Sequence, residues 1–243
     1  MCGRFVQSFA KEDIQQQFPK LLIDVNWLEK DGSRSFNVAP GHLVWVLDNA
    51  DSGNKVILNR LQWGFNINTA VKTRKMIINI RLDRLLNSVN WAKAITENRR
   101  VLIPANGWYE WKREQGKNQN SLPHYFEKVA TSNSTDLGSK LMYFAGLIDT
   151  HGNFGIVTQA ASEDITHIHD RMPLVLDSEN ERAIWLQKSS AAAVSLTQKK
   201  QQNSAVEHTY NSTLVSTKVN KVANNEASLL HESTPPPTQG SLF

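Results

Sequence analysis

Short runs of apolar residues, many alternating with polar ones and separated by turn residues, recur along the chain and predict a strand-rich fold with a few helices. After an N-terminal strand, Ser8 reads as the cap of a helix with Glu12 and Asp13 in its first turn. Phe9, Ile14 and Phe18 share one face of that helix, which ends before Pro19. Phe36–Gly41 reads as a turn-rich loop in which Pro40 fixes the backbone. His42–Leu47 and Lys55–Leu61 form a hairpin around a polar turn, Asp48–Asn54, and Asp83–Asn98 forms one or two short helices with Leu85, Leu86, Trp91, Ala94 and Ile95 available to a core. Arg99–Trp111 reads as one long strand, bulged or kinked where Pro104 and Asn106-Gly107 interrupt it. Further strands fall at Pro123–Lys128, Leu141–Ile148 and Phe154–Ala160, with a polar, mobile loop at Val129–Lys140. Ser178 and Glu181 make a capping box for a helix through Gln187.

Composition changes after Lys188, where alanines and then Gln, Lys, Ser and Asn dominate. Residues 188–208 therefore read as a polar surface insertion with helical potential, and residues 231–243, which include Pro235-Pro236-Pro237, as a disordered tail. The fold class expected is α+β, a single domain of antiparallel, barrel-like sheets with peripheral helices over residues 2–230. With 40% hydrophobic residues the 243-residue chain can build a real core. No run approaches the roughly 20 apolar residues of a membrane helix, and no secretory pattern opens the sequence. A single cysteine suits a reducing, cytoplasmic compartment. The net charge of +4 is mild, but the segment from Val71 to Arg84 alone carries +4, from Lys72, Arg74, Lys75, Arg81 and Arg84 against Asp83. Beside Trp63 and Phe65, which serve either as core or as a stacking platform, that cluster suggests a nucleic-acid groove.

Cys2 carries the most specific chemistry. No intrachain disulfide explains it, and removal of Met1 would leave an α-amine and a thiol on adjacent carbons, titrating near ~8 and ~8.5. Such a 1,2-aminothiol suits an aldehyde: the amine forms a Schiff base and the thiol closes on the imine carbon as a thiazolidine. Gly3 permits close approach of another chain, and Arg4 offers a fork for phosphate. Glu110, between Tyr109 and Trp111, reads either as a buried carboxyl with a raised pKa or as a solvent-facing residue with the aromatics inward. Asn37 bonds its own chain or a phosphate, and His169 is structural or a proton carrier. His167 and His169 alone offer too few ligands for a metal, no cofactor motif is present, and GxSxG, Walker, CxxC and HExxH patterns are absent.

Met1-Cys2-Gly3-Arg4-Phe5, Phe36-Asn37-Val38-Ala39-Pro40-Gly41, Trp63-Gly64-Phe65, Asn79-Ile80-Arg81, Ile103 to Trp111 and Ile168-His169-Asp170-Arg171-Met172-Pro173, in that order, closely resemble the SRAP family of SOS-response-associated peptidases, the abasic-site processing proteins. The resemblance implies a nucleoid-associated sensor that crosslinks abasic sites in single-stranded DNA through Cys2 and removes its own Met1. It implies proton transfer by Glu110 and His169, a sugar- or phosphate-holding Asn79, and a DNA-binding set of Gly3, Arg4, Asn37, Pro40, Trp63, Phe65, Arg81 and Gln159. Ile80 and Leu82 are bulkier than is usual beside the Asn-x-Arg motif, and Gln159 stands where a small hydroxyl residue is common, which puts pocket shape in doubt. Two other functions fit the residues: an N-terminal-nucleophile amidohydrolase using Cys2, and a non-catalytic single-strand-binding module. The last five residues, Gln239 to Phe243, resemble the bacterial sliding-clamp pentapeptide, with Gln239, Leu242 and Phe243 as its anchors.

Overall fold

The computed structural model describes residues 2–18, 34–49, 56–68, 74–112, 121–129, 141–187, 189–202 and 210–233. Fourteen strands and six α-helices are seen among them. Strands β1 (Arg4–Ser8), β2 (Arg34–Val38), β9 (Gly107–Lys112), β10 (Leu122–Lys128) and β14 (Tyr210–Leu214) form a five-stranded sheet in the order β14-β10-β9-β1-β2. A second sheet runs β13-β12-β11-β8-β3-β4, from β3 (Leu43–Asn49), β4 (Val56–Gln62), β8 (Arg100–Ala105), β11 (Met142–Ile148), β12 (Phe154–Ala160) and β13 (Arg171–Pro173). To its β12 the short β7 (Asn79–Arg81) adds in parallel, and β5 (Phe65–Asn68) pairs with β6 (Arg74–Ile77) as a separate ribbon. The remaining pairings within both large sheets are antiparallel; neither sheet closes on itself, so the fold is barrel-like only loosely.

Alternation on the strands builds the layers. Val101, Ile103, Met142, Phe144 and Ile156 of the larger sheet meet Phe5, Trp108 and Phe126 of the smaller one in an inter-sheet core. The opposite residues, Leu102, Tyr143, Ala145, Leu147 and Val157, pack under helices α2 (Leu82–Leu85), α3 (Val89–Thr96), α5 (Glu179–Gln187) and α6 (Ser190–Gln202). Val6, Tyr109 and Tyr125 on the outer face of the smaller sheet lie under short 3-10 turns bearing Val219 and Leu229. The Ser178 cap forms, its Oγ accepting from the Glu181 N–H at 3.1 Å, while the Glu181 carboxylate reaches one residue further back and accepts from the Asp177 N–H at 3.2 Å.

Several boundaries differ from the sequence reading. Helix α1 (Lys11–Gln17) starts two residues later, because Ser8 stays in β1, its N–H held by Asn106 Oδ1 at 2.6 Å, while Asp13 caps the Ala10 N–H at 2.7 Å. Phe36–Val38 is strand rather than loop, paired with β1 through Phe5 and Val38; the turn begins only at Pro40 and Gly41. The long strand expected at 99–111 is two strands in different sheets. Asn106 breaks it by donating its N–H to the Val6 carbonyl, and Gly107 is required because a Cβ there would lie 2.3 Å from the Phe126 carbonyl oxygen. The polar segment after Lys188 is not only surface: Ala193, Leu196 and Thr197 of α6 are buried in the helix-side core. Within the stretch expected to be tail, Ser233 is held to β14, its N–H donating to the Leu214 carbonyl, and Glu232 bridges to Val215. The tips at 50–55, most of the loop at 129–140, residues 203–209 and the tail from 234, with Gln239, Leu242 and Phe243, lie outside the described residues.

Candidate active site

Strands β1 and β9 run antiparallel with Arg4 opposite Tyr109 and Phe5 opposite Trp108, a register that carries Cys2 toward Glu110 at the open end of the inter-sheet space. On β9 the period of two turns Trp108 and Glu110 to the inter-sheet side and Tyr109 to the other. Glu110 is thus 2% exposed, and the solvent-facing alternative is excluded. Burial, with the charge of Asp170 adding to it, lifts its pKa to about 7.

Cys2 is wholly buried. Its Sγ lies 3.8 Å from the Arg4 carbonyl oxygen, and burial, followed by the charge of Glu110, pushes the thiol well above its ordinary pKa. Burial thus favours the protonated thiol, against the value of ~8.5 for a free cysteine. Asn79, placed by the parallel β7–β12 pairing opposite Ile156, donates from Nδ2 to the Cys2 carbonyl at 2.8 Å. Its buried Oδ1 has no hydrogen-bond partner among the described residues.

His169 follows the short helix α4 (Glu163–Thr166). Its Nδ1 lies among the Arg171 N–H at 3.0 Å, the Arg171 carbonyl at 3.2 Å and the Asp170 carboxylate at 3.1 Å, and its Nε2 lies 3.8 Å from the Glu110 carboxylate. A cleft of about 470 Å³, lined by Arg81, Trp111, Thr166, Ile168, His169, Asp170 and Arg171, opens there. A second, of about 410 Å³, shares Arg81 and Arg171 and adds Gln159, Lys200 and Gln201. Gln159 is 6% exposed, with its Oε1 unpartnered among the described residues.

The two arginines of these clefts are fixed by one carboxylate. Asp83 accepts from Arg81 Nε at 3.1 Å and Nη2 at 2.7 Å, and from Arg171 Nη1 at 3.2 Å. The Arg81 hydrogen bonds hold its pKa at about 2. Arg171 is also bonded through Nη2 to the Thr158 carbonyl and hydroxyl. Sequence reasoning quoted Arg171 within a motif and counted Asp83 as a charge, but assigned neither a role; pairing across 88 residues leaves no local signal.

Other expected contacts are absorbed by the fold. Trp63 is fully buried, its Nε1 donating to the Ile78 carbonyl at 3.0 Å and its ring edge-on to Phe5; Phe65 is 4% exposed and lies on Trp91. Neither presents a ring face to a base, so the stacking-platform reading is corrected. Asn37 is 1% exposed, donating to the Val219, Lys221 and Asn224 carbonyls and accepting from Arg4, which removes it as a phosphate ligand. Arg4 is turned onto the fold as well, with Nη1 donating to Asn37 Oδ1 at 2.8 Å and to the Val219 carbonyl at 2.9 Å. Gly3 is half-buried beside Cys2, and Pro40 half-buried before Gly41. Among the described residues no group of three or more His, Cys, Asp or Glu side chains is arranged to hold a metal, and no helix is long and apolar enough to cross a membrane.

The chain is similar to several known proteins over most of its length. The abasic site processing protein YoqW of Bacillus subtilis (strain 168) is 34% identical over 197 residues, spanning 76% of this chain and 80% of that protein. The abasic site processing protein YedK of Escherichia coli (strain K12) is 29% identical over 192 residues, 77% of this chain and 80% of that one. Among solved structures, a phage-related protein from Bordetella bronchiseptica superposes with a TM-score of 0.61 at 25% identity, covering 87% of this chain and 94% of that one. The family model described as SOS response associated peptidase (SRAP) matches residues 1–222, and the chain belongs to that family.

Proposed function

We propose that this chain processes abasic sites in single-stranded DNA by capturing them covalently on Cys2 once Met1 has been removed. The observation that carries the reading is a row of neighbours running inward from the cleft: His169 on its wall, then Glu110 with its pKa at about 7, then Cys2, whose backbone Asn79 holds. An abasic deoxyribose exposes an aldehyde in its open form. The Cys2 amine adds to C1′ and the resulting carbinolamine loses water to give an imine. The thiol then adds across the C=N bond: sulfur bonds to carbon and the thiol proton is transferred to nitrogen. Protons move at each step, and Glu110, near half-ionised at neutral pH, is suited to give and take them. His169, with its Nε2 3.8 Å from the Glu110 carboxylate, is the imidazole that gives the opening sugar oxygen its proton. Asn79 fixes the Cys2 carbonyl, and therefore the direction of the amine. Arg81 and Arg171 supply positive charge for the flanking backbone, and an unpaired strand bends into such a cleft at less cost than a duplex.

Incubation with an oligonucleotide containing one abasic site, followed by denaturing electrophoresis, tests the reading. A heat-stable shifted band is expected with the native chain and none with Cys2→Ala. Turnover of small amides without aldehyde dependence would instead support an N-terminal-nucleophile hydrolase, and unchanged binding without an adduct a passive module. The tail at Gln239–Phe243 is proposed to tether the domain to a bacterial sliding clamp, raising its concentration at replicating DNA; deletion of those five residues should abolish clamp binding.

A further inference from the structure

Asp83 occupies the position a phosphate would be expected to take. It stands in the first turn of α2, half-exposed on the wall of the cleft of about 410 Å³, which shares Arg81 and Arg171 with the other. Its Oδ1 and Oδ2 receive the Nε and Nη2 edge of Arg81 side by side, at 3.1 and 2.7 Å, and Oδ1 also receives Arg171 Nη1 at 3.2 Å. A guanidinium takes a phosphate through the same paired contacts. The two arginines are not held equally. Arg171 keeps its bonds to Thr158 if Asp83 leaves, whereas the side-chain partners of Arg81 are the Asp83 oxygens alone among the described residues.

We infer that Asp83 is an internal competitor for the backbone-phosphate site, and that it sets the selectivity of the domain for damaged over undamaged strands. The inference rests on the single-stranded-DNA reading above. An undamaged strand reaches Arg81 only by exchanging one ion pair for another, so it gains little and leaves readily. A strand with an abasic site makes the same exchange but is then retained by its bond to Cys2, which the carboxylate cannot displace.

The test is binding of an undamaged oligonucleotide by fluorescence anisotropy across a salt series. Asp83→Asn should tighten binding about threefold or more and steepen the dependence of log affinity on log salt by about 0.7, the value for one further phosphate contact on a single strand. Asp83→Glu should stay near the native chain, Arg81→Gln added to Asp83→Asn should cancel the gain, and undamaged strand should become a better competitor of adduct formation. Equal or weaker binding by a normally melting Asp83→Asn protein overturns the inference and makes Asp83 an orienting group. Should that variant fold poorly, NMR on the native chain decides: saturation with undamaged strand should move the Asp83 Cγ resonance to that of a solvated carboxylate, and an unmoved resonance overturns the inference. Loss of the Cys2 adduct on abasic DNA would refute the functional reading separately, while binding without an Asp83 response refutes only this one.

Discussion

Replacement of Glu110 by Gln should make the protein more stable and less active, and the stability gain should depend on pH. The carboxyl is 2% exposed and titrates at about 7 in the folded chain, against an ordinary value of 4.5. Below pH 4.5 it is protonated whether the chain is folded or not, and folding carries no ionisation penalty. As pH rises toward 7 the unfolded chain releases the proton while the folded one keeps it, so the folded state loses about 1.4 kcal/mol per pH unit. The loss is complete above pH 7 and amounts to about 3 kcal/mol, an order-of-magnitude figure for a buried group. Gln has no proton to lose and escapes the penalty. Urea unfolding of Cys2→Ala and Cys2→Ala/Glu110→Gln proteins at fixed pH from about 4.5 to 8 should show the double variant gaining on its parent by about 3 kcal/mol over that span. In the Cys2-containing background the same change should slow adduct formation by about a hundredfold, the usual scale of a lost acid–base group, and remove the inflection near pH 7 from the rate profile. A stability difference that stays constant with pH would refute the assignment of a raised pKa to Glu110, and with it the argument for its proton-transfer role.

Asn79→Ala should slow adduct formation about tenfold or more, by releasing the Cys2 carbonyl, while affinity for undamaged strand stays within about twofold; anisotropy and gel assays in parallel separate the two. Trp63→Ala should cost about 3 to 5 kcal/mol of stability as a core deletion, and Trp63→Phe should bind DNA normally; weakened binding by a fully stable Trp63→Phe protein would restore the stacking role. Asn37→Ala strips the Lys221 and Asn224 carbonyls of this donor and leaves the Val219 carbonyl to Arg4 alone, and should lower stability by about 2 kcal/mol in thermal or urea unfolding. Gly64→Ala should destabilise by at least about 1 kcal/mol, because the backbone there has φ +97° and a Cβ would lie 2.8 Å from Met76 Sδ.

The element types were legible wherever the period of hydrophobicity was sustained: the hairpin of β3 and β4, the strands β10 to β12 and the Ser178 cap all stand near where the pattern puts them. Pattern failed where long-range partners decide. Asn106 ends β8 because its N–H and side chain meet β1, a hundred residues earlier, and the same break lets β9 enter the other sheet and turn Glu110 inward. Asn37 looked as ready for phosphate as for its own chain; the choice was made by carbonyls near residue 220. Trp63 and Phe65 could not be told from stacking residues without knowing that Ile78 and Phe5 meet the first and Trp91 of α3 the second. A lone cysteine at position 2 stands out in a sequence, but its burial beside Glu110 does not, and Asp83, two residues from Arg81, became a shared partner only when Arg171 was brought across to it.

Intact mass spectrometry of the product formed with an oligonucleotide bearing one abasic site reads the capture step itself. A single Cys2-dependent adduct is expected, with the mass of the chain without Met1 plus the oligonucleotide, less one water. An adduct of the same yield that still carries Met1, or that forms on Cys2→Ala, would contradict it.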